Sequence, residues 1–258
     1  MNIKKDMITF NDPKSPISET FRTLRTNIQF MTTNKKLKTL LVTSTIPAEG
    51  KSWLTSNLAI TFAQTGKKVV IVDADMRKGR LFGIFGVPAK PGLSNYLSNV
   101  DVNDKDELNA DLDYYTRITE VENLDIIPSG NIPPNPSELL VSEPMIKLLD
   151  DLKQKYDLIL IDGTPSDLVT DSIILSRLVD ATIIVTAHKK TKKETLQKVV
   201  KNINNVGGNL IGIILNIPIK PSITTISLAI GISILIGILS SYLPAKRASN
   251  KNTIDILK

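Results

Sequence analysis

The chain has 258 residues, no cysteine, a single histidine (His188), and 32 lysines and arginines against 26 acidic residues, a formal net charge of +6. Without cysteine there is no disulfide framework, zinc knuckle or thiol nucleophile, and one histidine excludes a histidine-rich metal site. A hydrophobic fraction of 41% at this length supports a real core, in one large α/β domain or two small ones. The basic excess would ordinarily suggest nucleic acid or an anionic membrane surface. Its distribution argues otherwise. Residues 220–258 hold five bases and one acid, a net of +4, which leaves 27 bases and 25 acids, a net of +2, over residues 1–219. The main body is nearly neutral, and nucleic acid is not an expected partner.

In chain order, Ser15 and Pro16 give a helix-start signal, and Ile17, Phe21, Leu24 and Ile28 follow at helical spacing. An amphipathic helix is expected over residues 16–31, within an N-terminal segment of residues 1–36. Six apolar runs follow, at 37–44, 68–74, 123–128, 156–162, 180–186 and 210–216. They are rich in Val and Ile and apolar throughout, as in strands covered on both faces. Helical patterns at 52–65, 143–155, 170–178 and 191–205 separate them. This alternation predicts an α/β fold with a doubly wound, largely parallel sheet, occupying residues 37–219. Residues 82–122 carry the weakest pattern, and short helices and loops are expected there.

The segment TSTIPAEGKSW, Thr43–Trp53, stands between the first strand and a helix. A strict GxxxxGK[ST] phosphate loop needs glycine at position 45, where this chain has Thr45. The end of the loop nonetheless has the required chemistry. Gly50 lets the backbone approach a phosphate, and helix-start amides point their dipoles at it. Lys51 suits phosphate oxygens and the Ser52 hydroxyl suits Mg2+. By itself GKS is also compatible with an ordinary loop-to-helix turn, the lesser of the two readings. Two further segments add to it. Asp73 and Asp75 end one strand, two apart and so on one side if the chain stays extended, and Asp162 ends another. Carboxylates at strand ends beside such a loop are oxygen ligands for a nucleotide-bound cation; separately, each is also a plausible helix cap.

Taken together, TSTIPAEGKS, VVIVDADMRKGRLF, PSGNIPPNPSELL, YDLILIDGTPSDLVTD and LIGIILN resemble the bacterial tyrosine kinases of capsular and exopolysaccharide synthesis, the CpsD/CapB family. The resemblance covers about residues 15–217. It implies the P-loop NTPase fold shared with partition ATPases, with ATP and Mg2+ as cofactors and tyrosine-containing proteins as substrates. The HRD and DFG motifs of eukaryotic kinases are absent. By resemblance, Lys51 and Ser52 match the Walker A lysine and Mg2+-binding hydroxyl, in a nucleotide loop of Ala48, Glu49, Gly50, Lys51, Ser52 and Trp53. Asp73 matches the activator of the tyrosine hydroxyl, Asp75 a metal ligand, and Asp162 the Walker B aspartate and second carboxylate ligand. Asn216 matches an adenine contact. Glu19, Arg22 and Arg25 form an ExxRxxR stripe that in the family joins subunits into a ring, and the bland reading of the same stripe is a solvated face. A membrane activator, the chain-length regulator of the polysaccharide system, is the implied partner, and the inner face of the bacterial membrane the implied location. No hydrophobic stretch precedes Leu37, so a separate activator chain is expected. A non-kinase ATPase switch of the partition type, anchored by its tail, is the alternative reading.

The last forty residues depart from that family. None of the five tyrosines (Tyr96, Tyr114, Tyr115, Tyr156, Tyr242) forms the terminal cluster usual there. Residues 221–245 are instead uncharged and flanked by Lys220, Lys246 and Arg247. At about 1.5 Å per residue, a helix of this length exceeds a hydrocarbon core of about 30 Å. A C-terminal hydrophobic helix and membrane contact through 221–245 are therefore expected. The tail resembles the last membrane helix of a macrolide-exporter-type ABC permease. A single crossing from the cytoplasm would put its bases outside, against the positive-inside tendency. A gene junction near 217–221 is the second explanation.

Overall fold

A computed structural model of the chain describes residues 6–31, 37–99 and 112–217. The expected C-terminal helix and its membrane contact at 221–245 fall outside the described residues, as does Tyr242. Among the described residues no helix is long and apolar enough to cross a membrane.

The elements in order are α1 (Ile8–Asn11), α2 (Pro16–Met31), β1 (Thr39–Ser44), α3 (Lys51–Ala63), β2 (Val69–Asp73), α4 (Leu81–Phe85), α5 (Leu93–Asn99), α6 (Leu112–Tyr115), β3 (Arg117–Ile118), β4 (Leu124–Ile127), α7 (Pro136–Leu139), α8 (Glu143–Lys155), β5 (Leu158–Pro165), α9 (Asp171–Leu178), β6 (Ala181–Ala187), α10 (Lys193–Asn205) and β7 (Leu210–Asn216). The seven strands form one sheet in the order β3-β4-β2-β5-β1-β6-β7. All pairs are parallel except β3 with β4, so the largely parallel sheet expected from the apolar runs is present. Strand β3 pairs over only two residues at the edge, too short to leave a pattern in the sequence.

The winding explains which helix covers which face. From β1 the chain moves toward β2 and β4, then reverses to fill the slot at β5 and continue to β6 and β7. Crossovers of one constant hand must switch faces when the direction reverses. Accordingly, α1–α4 pack on one face with Leu40, Val42, Val69, Ile71, Leu158 and Leu160. Helices α5, α8 and α9 cover the other, with Leu41, Val70, Val72, Ile159 and Ile161, and α10 covers Ile184 beyond them. Every residue of β1, β2 and β6 is buried, the physical reason these strands read as unbroken apolar runs.

The N-terminal helices share this core. Thr9 of α1 bonds Asn57 of α3 through both its amide and its hydroxyl. Phe21 of α2 meets Trp53 of α3 edge to face, with ring centroids 5.2 Å apart. The reversal also brings β5 between β1 and β2. Three carboxyl-terminal strand ends therefore lie side by side, where ligands of open parallel sheets bind.

Candidate nucleotide and phosphoryl-transfer site

The loop after β1 makes its sharp turns at positions 48 and 50, not at 45. Ala48 has φ 60° and Gly50 φ 90°, both left-handed. Thr45 is buried, and its amide donates to the Val185 carbonyl at 3.3 Å, continuing the pairing of β1 with β6. A glycine is therefore not needed at position 45, and a literal motif scan misses a loop that forms. At Gly50 a side chain is excluded twice, by φ and because a Cβ would lie 2.4 Å from Asn216 Nδ2. That amide donates to the Glu49 carbonyl at 2.9 Å, so Asn216 braces the loop. The Glu49 carboxylate is buried and committed within the protein: it accepts from the amides of Ile46 and Ala187 and from the Thr191 hydroxyl. Glu49 thus ties the loop to the end of β6. Trp53 lines the cleft while packing on Phe21.

Gly50 caps α3, which starts at Lys51, so the helix-start amides face the loop. Lys51 Nζ donates to Asp162 Oδ1 at 2.8 Å and approaches Ser52 Oγ at 3.3 Å. Thr55, one turn along α3, donates to the same Asp162 oxygen at 3.1 Å. Sequence reasoning missed Thr55, although its i+4 spacing from Lys51 puts both on one helix face. The second oxygen of Asp162 is buried without a hydrogen-bond partner among the described residues. A buried orphaned carboxylate oxygen beside a lysine and a serine hydroxyl fits a hard cation. Among the described residues no three carboxylate or histidine side chains come together as a ready cage. A nucleotide-bound Mg2+ does not need one, because one or two protein groups complete a shell made mostly of phosphate and water.

Asp73 stands in register with Asp162 on the neighbouring strand. The extension assumed for Asp73 and Asp75 is not kept. β2 ends at Asp73, whose Oδ1 accepts from the Asp75 amide at 3.3 Å while Oδ2 accepts from the Leu81 amide at 3.2 Å. The chain turns there because the carboxylate captures the next amides, and the two side chains part. Asp75 opens onto the cleft, and Asp73 lies behind it, fully buried. Burial pushes the Asp73 carboxyl up to about 8, helped by the neighbouring Asp162 charge and opposed by Lys51. Burial raises Asp75 as well, again opposed by Lys51.

A second group of residues escaped the sequence reading. Asp171, fully buried at the start of α9, accepts from Arg77 Nε at 3.0 Å and from the Ser137 hydroxyl at 2.5 Å. It joins DADMR, PSEL and the residue after SDLVT into one cluster. The motifs were visible in the sequence, but contact across 94 and 34 residues was not. The cleft itself has a volume of about 510 Å³, and its lining includes Gly50, Lys51 and Ser52, the acids Asp6 and Asp75, and the bases Arg77, Lys78 and Arg80.

The ExxRxxR stripe divides. Glu19 and Arg22 pair at 2.6 Å on the surface. Arg25 turns inward and donates to the Thr61 carbonyl at 2.7 Å, tying α2 to α3. It does not lie on the solvated stripe that helical spacing suggested, because α3 passes close enough to claim its guanidinium.

Comparison with known proteins adds the family. A family model described as an AAA domain matches residues 48–217. The putative tyrosine-protein kinase CapB of Staphylococcus aureus is 39% identical over 204 residues, covering 79% of this chain and 86% of the relative. Among solved structures, the chimerical protein CapA2B2 matches with TM-score 0.75 and 37% identity, over 82% of this chain and 89% of that one. The kinase domain of the Escherichia coli tyrosine kinase ETK matches with TM-score 0.76 and 29% identity, over 84% and 82%.

Proposed function

Because the chain belongs to the bacterial tyrosine-protein kinases of capsule and exopolysaccharide systems, we propose that its cleft binds Mg-ATP and transfers the γ-phosphoryl group to protein tyrosines. The observation that carries the assignment of this site is the convergence of three neighbouring strands. Lys51 and Ser52 open α3 after the loop from β1, Asp162 lies in the carboxyl-terminal half of the neighbouring β5, which runs on to Pro165 and not to an end at residue 162, and in register with it Asp73 ends β2, with Asp75 in the turn that follows. In this reading Lys51 exchanges its bond with Asp162 for the phosphate oxygens, and the α3 amides hold the same group through their dipoles. Ser52, Asp75 and Asp162 hold the cation, with the unpartnered Asp162 oxygen the most available donor. Bound there, Mg2+ neutralises charge that accumulates on the phosphate oxygens during transfer. In the same reading Asp73 receives the tyrosine proton. Burial raises the Asp73 carboxyl, which makes its ionised form the stronger base. Asn216 and Glu49 keep the loop in shape, and an adenine contact by Asn216 belongs to the same proposal.

The capsule system supplies the setting. A membrane activator, the chain-length regulator, is the proposed partner, with the cleft at the inner face of the membrane. Ring assembly through α2 would use Glu19, Arg22 and Arg25, of which Arg25 also bonds the Thr61 carbonyl of α3. Incubating the full chain with Mg-ATP and a glutamate–tyrosine copolymer tests the activity. Phosphotyrosine on the copolymer is expected, with Lys51→Met abolishing it. ATP turnover without any phosphotyrosine would return the chain to the partition-type switch.

A further inference from the structure

The bases of the chain are unevenly placed in the fold. Residues 181–217, which form β6, α10, β7 and their connections, hold six bases (Lys189, Lys190, Lys192, Lys193, Lys198, Lys201) and one acid, Glu194, a net of +5. Taken from the 27 bases and 25 acids of residues 1–219, this leaves 21 bases and 24 acids, a net of −3, for the rest of that span. One edge of the sheet is basic on an otherwise acidic body.

Two of the six bases are engaged within the protein. Lys190 Nζ donates to the Ala48 carbonyl at 3.0 Å, and Lys198 pairs with Asp167 at 3.0 Å. Lys189, Lys192, Lys193 and Lys201 are exposed, and among the described residues none has a salt-bridge partner. The acids of the neighbouring elements do not cancel them. Glu49 and Asp171 are buried and bonded inward, and Asp180, at the opposite end of β6, accepts from the amides of Lys38 and Thr39. Glu194 is exposed on the first turn of α10, so four free cations stand against one anion.

The same edge is also apolar. Strand β7 is last in the sheet, and its Ile213, Leu215 and Ile217, at alternate positions and so on one face, are 47%, 52% and 57% exposed. Ile213 lines a groove with Leu196, Val200, Lys193 and Lys201 of α10, so two of the free lysines border the aliphatic row. The end of β7 lies beside the lysine loop, because the His188 amide donates to the Asn216 carbonyl at 3.0 Å. Lysine ammonium groups beside exposed Ile and Leu match a lipid interface, where head-group phosphates meet the charge and the acyl boundary takes the aliphatic groups. An acidic peptide or a nucleic acid would meet the lysines and gain nothing from the aliphatic row. In the sequence, the uncharged run of residues 221–245 begins four residues beyond Ile217.

We propose that the loop from β6 to α10, the adjoining part of α10 and the open face of β7 form a docking surface for an anionic phospholipid bilayer. Lys189, Lys192, Lys193 and Lys201 meet the head-group phosphates, and Ile213, Leu215 and Ile217 reach the acyl boundary. This contact is separate from that of a membrane activator and does not depend on the kinase reading.

Sedimentation of the full chain with vesicles tests the surface, using phosphatidylcholine alone and phosphatidylcholine mixed with phosphatidylglycerol. Partition onto the neutral vesicles measures what the rest of the chain contributes. Stronger partition onto the mixed vesicles is expected, falling steeply as salt is raised from about 0.05 M to about 0.5 M. Combining Lys189→Gln, Lys192→Gln, Lys193→Gln and Lys201→Gln should lower partition onto the mixed vesicles by roughly a hundredfold and leave the urea midpoint unchanged. Leu215→Ser with Ile217→Ser should weaken binding and keep the preference for phosphatidylglycerol. Equal partition onto the two kinds of vesicle overturns the proposal. So does a preference that survives the four substitutions, which would assign it to the bases of residues 246–258. Release from the mixed vesicles by duplex DNA or polyglutamate at equal charge concentration would make the surface a site for soluble polyanions and remove the lipid assignment.

Discussion

Gly50 joins backbone conformation and packing at one position. Its left-handed φ favours glycine, and the Asn216 amide occupies the space a methyl group would need. Gly50→Ala should therefore destabilise the fold by about 1–3 kcal/mol through backbone strain and break the brace from Asn216. Urea unfolding and ATP turnover measured together check this, and a variant with wild-type midpoint and turnover would show that the loop tolerates a side chain. Gly79 follows the same logic without strain, since a Cβ there would lie 2.1 Å from Ser129 Oγ and 2.8 Å from Asp73 Oδ2. The sequence made the chemistry of Lys51, Ser52 and Asp162 legible because these reactive residue types stand beside or within apolar runs, Lys51 and Ser52 at the helix start after one run and Asp162 inside another. It did not reveal the supporting contacts of Asn216, Glu49 or Asp171, since an amide or a carboxylate looks alike in sequence whether it meets a ligand or holds a loop.

At the scale of elements, α2 and α3 form the lever between surface and site. Phe21 and Ile28 are buried on α2, and Trp53 carries the contact into the helix that begins at Lys51. Phe21→Ala should cost about 3–5 kcal/mol, the range for removing a buried phenyl ring. Glu19→Ala removes only an exposed ion pair and should change stability by no more than about 0.5 kcal/mol. Thermal or urea unfolding of the two variants separates these, and similar losses would mean that α2 is held by its surface charges and not by its apolar face. The helical spacing of residues 16–31 made this element readable, down to its start at Pro16. The inward turn of Arg25 was not readable, because it depends on where the carbonyl of Thr61 stands on another helix.

For the molecule as a whole, the buried carboxylates couple stability to pH. Asp73 has an ordinary value near 3.8 when unfolded and is raised to about 8 in the fold. Between those values the folded chain holds a proton that the unfolded chain releases, so stability falls as pH rises from about 4 to about 8. In EDTA, the urea midpoint should decline across that window, and Asp73→Asn should flatten the slope. A midpoint that climbs with pH in the wild-type protein would contradict the burial argument. Magnesium should oppose the decline, because a cation bound nearby favours the ionised carboxylates.

The parallel α/β class is legible in the sequence, because strands covered on both faces must be apolar throughout. So is the phosphate-binding chemistry, because lysine, serine and aspartate announce themselves by type and place. The return of β5 between β1 and β2, which brings residues 51, 73, 75 and 162 together, is visible in the fold alone. Only it decided which charges are spent inside the fold and which remain at the cleft. A count of charges sums paired and unpaired groups alike, and pairing is a property of distance in space, which the order of residues along the chain does not contain.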